Sequence, residues 1–312
     1  MSKLSLVCAL ALTLAVCTYA PDALAIKVVR DPGPPPPAVP PPPVVPAAPV
    51  PANLPKMSVT QIIDKNVAAR GGLAAWRAVQ SMSISGKLDA GGKQDTLLPY
   101  TLKVKRPNKQ RLAIEFAGHT ALQVFDGKQG WKLRPYLNRP DPEPFSPEEL
   151  RKTAEPPDLD GPLIDYAAKG NKVELEGTEM LDKQATYRLK VTTRQGHQQH
   201  IWIDGSTFLE AKMEANPRRF DGQMRKVETY LRDYRRVDGG LMIPFVAETR
   251  IERVPGGHSM MIEKVVLNEK IADSAFARPQ SLTAAVMPGR TPNFITLPGN
   301  SGAPAAPQNA GR

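Results

Sequence analysis

The side chains through which this chain could do chemistry are its histidines, its paired carboxylates and one arginine beside a proline. There are four histidines, His119, His197, His200 and His258. His197 and His200 are near enough in sequence to mimic a metal pair, but they open an extended run, where a separation of three puts side chains on opposite faces. A shared ion is not predicted. Glu148 with Glu149, Asp158 with Asp160, and Glu174 with Glu176 read as helix-end or solvent-face charges rather than acid/base pairs. No glycine-rich phosphate loop, nucleophile elbow or His–carboxylate motif is present. The sequence therefore predicts no catalytic residue, no metal site and no cofactor. Arg106 precedes Pro107 at the end of an extended run. Read alone, it is an exposed arginine before a turn.

The elements that position these residues are clearest between Leu102 and Pro135. Leu102 and Val104, then Leu112, Ile114 and Phe116, then Leu122 and Val124, and finally Trp131 and Leu133 are apolar residues two apart, separated by turn signals at Pro107-Asn108 and Asp126-Gly127. That period predicts an antiparallel meander with one apolar face, the other carrying Lys103, Lys105, Arg111 and Lys132. Similar runs recur around Met82–Leu88, Val173, Tyr187–Val191, Ile201–Ile203, Leu209–Met213, Val227–Tyr234, Phe245–Ile251 and Met260–Val266. About eleven or twelve strands joined by short turns make one large curved antiparallel sheet. Helices are predicted at Ser58–Val67, where Ser58 and Gln61 form a capping box, and at Leu73–Val79. Two more, Ser146–Ala154 and Asp160–Gly170, interrupt the strands and are candidates for a lid.

The ends of the chain are of other kinds. Met1–Lys3, the apolar run Leu4–Ala20 and Ala23-Leu24-Ala25 have the form of a secretory signal peptide cleaved after Ala25. Leu14-Ala15-Val16-Cys17 approximates a lipobox, which gives the alternative of a lipoprotein anchored at Cys17. Both cysteines of the chain, Cys8 and Cys17, lie here, so export without a disulfide framework is predicted. Losing Lys3 and Asp22 leaves the formal net charge at +10. A basic balance favours anionic surfaces such as lipid head groups; nucleic acid is not expected for an exported chain. Residues 26–57 form a proline-rich linker, extended at about 3 Å per residue. Residues 58–280 form the folded domain and residues 281–312 a disordered tail.

Val104-Lys105-Arg106-Pro107-Asn108, followed by Val124, Asp126-Gly127-Lys128, Trp131 and Pro135, resembles the periplasmic lipoprotein carriers of the LolA type and the wider group of outer-membrane lipoprotein-sorting proteins. Phe276 and Pro279 are a weaker echo near the end of the domain. The resemblance implies a mainly β fold with helices, an unclosed β-barrel whose open side the helices cover, and an apolar interior that takes up acyl chains. It also implies that Arg106 hydrogen-bonds backbone in the helical lid and holds the empty carrier closed. The physical logic holds independently: one guanidinium at a strand end can satisfy several carbonyls, and breaking those bonds makes a two-state latch.

The expected ligand-binding residues are Arg106, Leu102, Val104, Leu112, Ile114, Phe116, Leu122, Val124, Trp131, Leu133, Tyr187 and Phe245. Trp202, out of phase with Ile201 and Ile203, is expected on the other face, and Met213, Met242, Met260 and Met261 would give an adaptable lining. The function so expected is that of a non-enzymatic periplasmic carrier of lipid or lipoprotein acyl chains, with inner- and outer-membrane donor and acceptor proteins as partners. The chain departs from the typical carrier in its length, its proline-rich arm and the insertion after Pro135, and these leave the cargo open. The alternative from another class is a tethered sensory or structural module with no cargo.

Overall fold

The computed structural model of the protein describes residues 53–89, 97–116, 118–147, 149–150, 159–220, 222–254 and 256–282. The expected signal peptide, the proline-rich linker up to residue 52, the end of the predicted helix through Ala154 and the tail from residue 283 lie outside them.

Helix α1 (Val59–Ala69) starts where the capping box predicts, with Ser58 Oγ accepting from the Gln61 amide at 3.2 Å and Gln61 Oε1 accepting from the Ser58 amide at 2.9 Å. It stops at Gly71, whose φ of 106° suits glycine and whose missing Cβ would stand 2.7 Å from the Gly240 carbonyl oxygen. Helix α2 (Leu73–Ala78) follows. Thirteen strands complete the fold: β1 (Ser81–Asp89), β2 (Leu97–Lys105), β3 (Lys109–Phe116), β4 (His119–Phe125), β5 (Gly130–Arg134), β6 (Arg139–Pro144), β7 (Lys172–Leu181), β8 (Gln184–Thr192), β9 (Gln198–Asp204), β10 (Glu210–Phe220), β11 (Gln223–Arg236), β12 (Met242–Ile251) and β13 (His258–Leu267).

They make one antiparallel sheet in the order β6-β5-β4-β3-β2-β1-β13-β12-β11-β10-β9-β8-β7. The first and last strands pair in the middle, and the two strands adjacent in sequence, β6 and β7, form the two edges. Among the described residues these edges do not pair, so the curved sheet is an unclosed barrel. The segment 145–171 runs from one edge to the other. It is therefore the covalent bridge across the open side, and α1 and α2 pack into the concavity through Ile62, Ile63, Trp76 and Val79.

Two predicted elements differ. Strand β6 falls where the proline- and acid-rich sequence suggested a break. Its Pro140, Pro142 and Pro144 are tolerated because an edge strand needs only one side of its ladder. The stretch 159–170 is a series of turns and not a helix, interrupted by left-handed backbone at Gly161 (φ 87°) and Asp165 (φ 57°). The Ser146 capping box is present, with the Glu149 amide donating to Ser146 Oγ and the Ser146 amide to Glu149 Oε2.

The larger correction concerns faces. The turn between β3 and β4 pairs Phe116 with His119, so Leu112 stands opposite Gln123, and Ala113 opposite Leu122. Cross-strand partners share a face. Leu112 and Ile114 face the concave side, so Val124 and its partner Trp131 in β5 face the back, while Leu122 and its partner Leu133, on the same register face as Val124, still reach the edge of the concave cleft. The apolar period correctly located these strands but not their facing. The back is apolar here because Ile271 and Phe276 of the closing segment cover Val124, with Leu122 packed against them.

Candidate functional site

The half-barrel has two distinct ends. At one, the turns between β2 and β3 and between β9 and β10 meet α1 and α2, with the β4–β5 turn at the same end. At the other are the turns between β3 and β4, β8 and β9, β10 and β11, and β12 and β13. About 23 Å separates them along β2.

The first end is sealed by a network of charges. Arg70, the C-cap of α1, is 1% exposed. Its Nη1 donates to the Asp160 carbonyl at 2.9 Å and to Glu210 Oε1 at 3.1 Å, and its guanidinium lies 4.4 Å from the Trp76 ring. Its own carbonyl accepts from Trp76 Nε1 and from the Met242 amide, tying both helices to β12. Tyr234 Oη donates to Glu210 as well, and burial together with that carboxylate pushes the phenol well above its usual pKa.

Arg106 completes the seal from the end of β2. Its Nε donates to the Val79 carbonyl at 2.7 Å, and its Nη2 to the Trp76 carbonyl at 3.4 Å and to Asp160 Oδ2 at 2.8 Å. Lys169 reaches the other oxygen of Asp160 at 2.9 Å and the Gly161 carbonyl at 2.6 Å. Burial opposes ionisation of Asp160, but Lys169 and Arg106 outweigh it and hold the carboxyl below its ordinary range. Asp160 is thus no solvent-face charge. Through its carboxylate and its carbonyl it ties the cross-barrel segment to β2 and to α1. Arg106 bonds backbone at the C-terminal side of α2 and a carboxylate of that segment, the geometry that a strand-end guanidinium allows.

The other end holds an apolar cleft in the first half of the sheet. Leu88, Leu98, Leu112, Ile114, Phe116 and Tyr136 supply most of its wall, Ala121, Gln123 and Arg134 add to it, and Leu122 and Leu133 border it. The space in and in front of it, open solvent included, is about 500 Å³, and Leu88, Leu98, Leu112 and Ile114 of its wall are buried. Phe116 and Tyr136 meet edge to face with ring centroids 5.9 Å apart. Among the described residues of the wall the only ionic group is Arg134, which pairs with Glu143.

Of the expected ligand-binding residues, Leu112, Ile114, Phe116, Leu122 and Leu133 touch this cleft. Leu102 and Val104 lie on the same concave face but are buried in the main core, nearer the sealed end. Tyr187 and Phe245 also belong to that core, in the half of the sheet where the concavity is filled. Tyr187 stacks on Phe208 and donates to the Pro55 carbonyl at 2.9 Å. Val124 and Trp131 are on the back. Trp202 is on the outer face as expected, between Arg188 and Lys212, with Nε1 bonded to Glu179. His200 faces Glu176 and Glu214, and no group of three His, Cys, Asp or Glu suited to a metal occurs among the described residues. Sequence reading missed Leu88, Leu98 and Tyr136 in the cleft, and Arg70 altogether. Leu88 and Leu98 carry the same two-apart signal and pair across β1 and β2, whereas an arginine before Gly71-Gly72 gives no sign that it points inward.

No protein-family model matches the chain, and no curated protein matches its sequence. Among solved structures the chain is similar to a LolA superfamily protein from Nitrosomonas europaea, with a TM-score of 0.48 and 15% identity over 72% of this chain and 99% of that one. It is also similar to a DUF1329 family protein from Desulfovibrio piger, with a TM-score of 0.47 and 13% identity over 70% and 97%. A third structure, a domain assigned to outer membrane lipoprotein-sorting proteins from Vibrio parahaemolyticus, gives a TM-score of 0.45 and 11% identity over 69% and 94%.

Proposed function

We propose that this protein is an exported carrier that shields an acyl chain of a lipid or lipoprotein in the apolar cleft of its half-barrel. The observation that carries this reading is the cleft itself. A sheet of this curvature encloses more volume than its helices fill, and the unfilled part is walled almost wholly by aliphatic and aromatic side chains with its mouth open to solvent. Water in such a space finds few polar partners, so displacing it by a hydrocarbon chain is favourable, at about 0.8 kcal/mol per methylene buried. Arg106 acts at a distance. By holding α2 and the cross-barrel segment to β2 it keeps the interior small, and cargo that needs more room than the closed cleft offers must break those bonds. Donor and acceptor proteins in the two membranes would deliver and receive the cargo.

The test is uptake of a fluorescent fatty acid by delipidated protein, followed by native mass spectrometry of protein purified without delipidation. Stoichiometric uptake, with displacement by unlabelled lipid, is expected; no uptake and no co-purifying lipid would overturn the reading. A tethered module without cargo is favoured by a different observation, the filled second half of the concavity, where Leu189, Val191, Ile201 and Ile203 are all fully buried. A mature N-terminus acylated at Cys17, together with absent uptake, would establish that alternative.

A further inference from the structure

Strands β10 and β11 outrun their neighbours. The pairing of β9 with β10 ends at Ala215, and that of β12 with β11 at Val227, while β10 and β11 continue to pair with one another as far as Phe220 and Gln223. The ribbon beyond these points projects from the sheet, tied on the β12 side to Glu252, whose amide donates to the Lys226 carbonyl, whose carbonyl accepts from Arg225 and whose carboxylate accepts from the Lys226 amide.

Its composition is unusual for a free-standing ribbon. Arg218 is registered opposite Arg225, and Arg219 opposite Met224, with Lys226 next in line. Like charges at directly opposed positions of an antiparallel pair repel. Met224 is 61% exposed, the largest exposure among the exposed bulky apolar residues described. On the adjacent turn Arg253 adds a further cation whose side chain is 76% exposed. The acidic groups described nearby are Glu252, 3.8 Å from Arg253, and Glu214, 3.8 Å from Lys226 and only 14% exposed. A methionine this exposed gains little from the fold of the isolated protein, and the ribbon's sequence surrounds it with Arg and Lys. The arrangement becomes favourable when the apolar side chain enters a hydrocarbon boundary and the cations meet a surface of negative charge.

The position of the ribbon matters as much as its chemistry. The antiparallel register puts the β10–β11 turn at the same end of the half-barrel as Leu88, Leu98 and Phe116, hence at the cleft end and not at the end sealed by Arg106. We infer that the β10–β11 ribbon docks the protein on an anionic phospholipid surface, with Met224 entering the interface, so that the cleft end faces the membrane. The occupant is a bilayer and not an acidic protein, because among the described residues the ribbon offers the exposed Met224 beside cations and no groove for a partner's side chains. This deepens the carrier reading, since it gives the cleft a route to lipid, but it is tested without cargo.

The experiment measures co-sedimentation of the full chain with vesicles of phosphatidylcholine alone and of phosphatidylcholine with phosphatidylglycerol. Three proteins are compared: wild type, a ribbon variant (Arg218→Gln, Arg219→Gln, Arg225→Gln, Lys226→Gln), and a control variant losing four cations on the opposite end or outer face (Lys128→Gln, Arg232→Gln, Arg235→Gln, Lys270→Gln). Wild type is expected to bind only the anionic vesicles, the ribbon variant at least about tenfold more weakly, and the control close to wild type. Met224→Ser is expected to remove the part of binding that survives high salt. Among the described residues, the ribbon variant loses only exposed contacts of Arg225 and Lys226, so its melting temperature should stay close to that of wild type, which circular dichroism checks alongside binding. Equal weakening of both charge variants, undiminished binding by the ribbon variant, or equal binding to neutral vesicles would each overturn the inference. If fatty-acid uptake fails while ribbon-dependent vesicle binding persists, the carrier reading falls and the docking surface stands.

Discussion

The sealed end and the cleft end of the half-barrel are built from the same strands yet solve opposite problems. At the sealed end, polar groups are drawn inward and paired with one another: Arg70, Glu210, Tyr234, Asp160, Lys169 and Arg106 share a connected set of hydrogen bonds. At the cleft end, apolar groups line open space. A buried ionic network is geometrically demanding, because removing one member leaves another charge uncompensated. An apolar wall is permissive, since it tolerates whatever hydrocarbon meets it. The contrast teaches that order here is concentrated where the helices join the sheet, and capacity where they do not reach.

The contrast would be broken most severely by Arg70→Ala. With Glu210 left charged and buried, a loss of about 3–5 kcal/mol is expected, read as a large fall in denaturation midpoint. Truncation in the apolar core should separate the two regions more finely. Leu189→Ala, in the filled half, is expected to cost about 2–5 kcal/mol, whereas Leu112→Ala, beside existing space, should fall at or below the bottom of that range while changing fatty-acid affinity. Equal costs for the two in chemical denaturation would show that the cleft is closed in solution. Arg106→Leu removes hydrogen bonds but leaves Lys169 on Asp160, so the fold should survive with a loss of about 1–2 kcal/mol. The same variant is expected to take up cargo and fail to release it to an acceptor at the normal rate; normal release would remove Arg106 from the latch.

The smallest effect is that of pH. Asp160 is held below its ordinary value of 3.8 in the folded state. Its contribution is therefore complete above that value and is lost as the pH falls through it toward the folded value. Thermal melts from pH 6 down to pH 3 should show a decline in stability that is shallower in Asp160→Asn. An identical slope in the variant would take Asp160 out of the acid response.

How much of this was legible beforehand differs by level. The two-apart period of Leu102, Val104, Leu112 and Ile114 reports a strand and its concave face together, because these residues flank the turn whose register the period already implies. Val124 and Trp131 show the same period and lie on the opposite side, and Leu122 and Leu133 only border the cleft. Their facing depends on the number of residues in one turn, and the burial of Val124 on cover from Ile271 and Phe276, distant in sequence. Asp160 and Arg70 look like solvent-facing charges in the linear chain; only the convergence of α1, the cross-barrel segment and β10 shows that they are buried together.

By itself, then, the sequence determined most of the strands, the α1 capping box and the glycine stop after Arg70. All of these are set by interactions within a few residues. The tertiary structure alone decided which apolar residues share a cavity, that Arg106 and Arg70 meet at Asp160, and that the cleft and the basic ribbon occupy one end. Those are contacts between residues far apart in sequence, and their geometry follows from strand order and register, which local spacing does not encode.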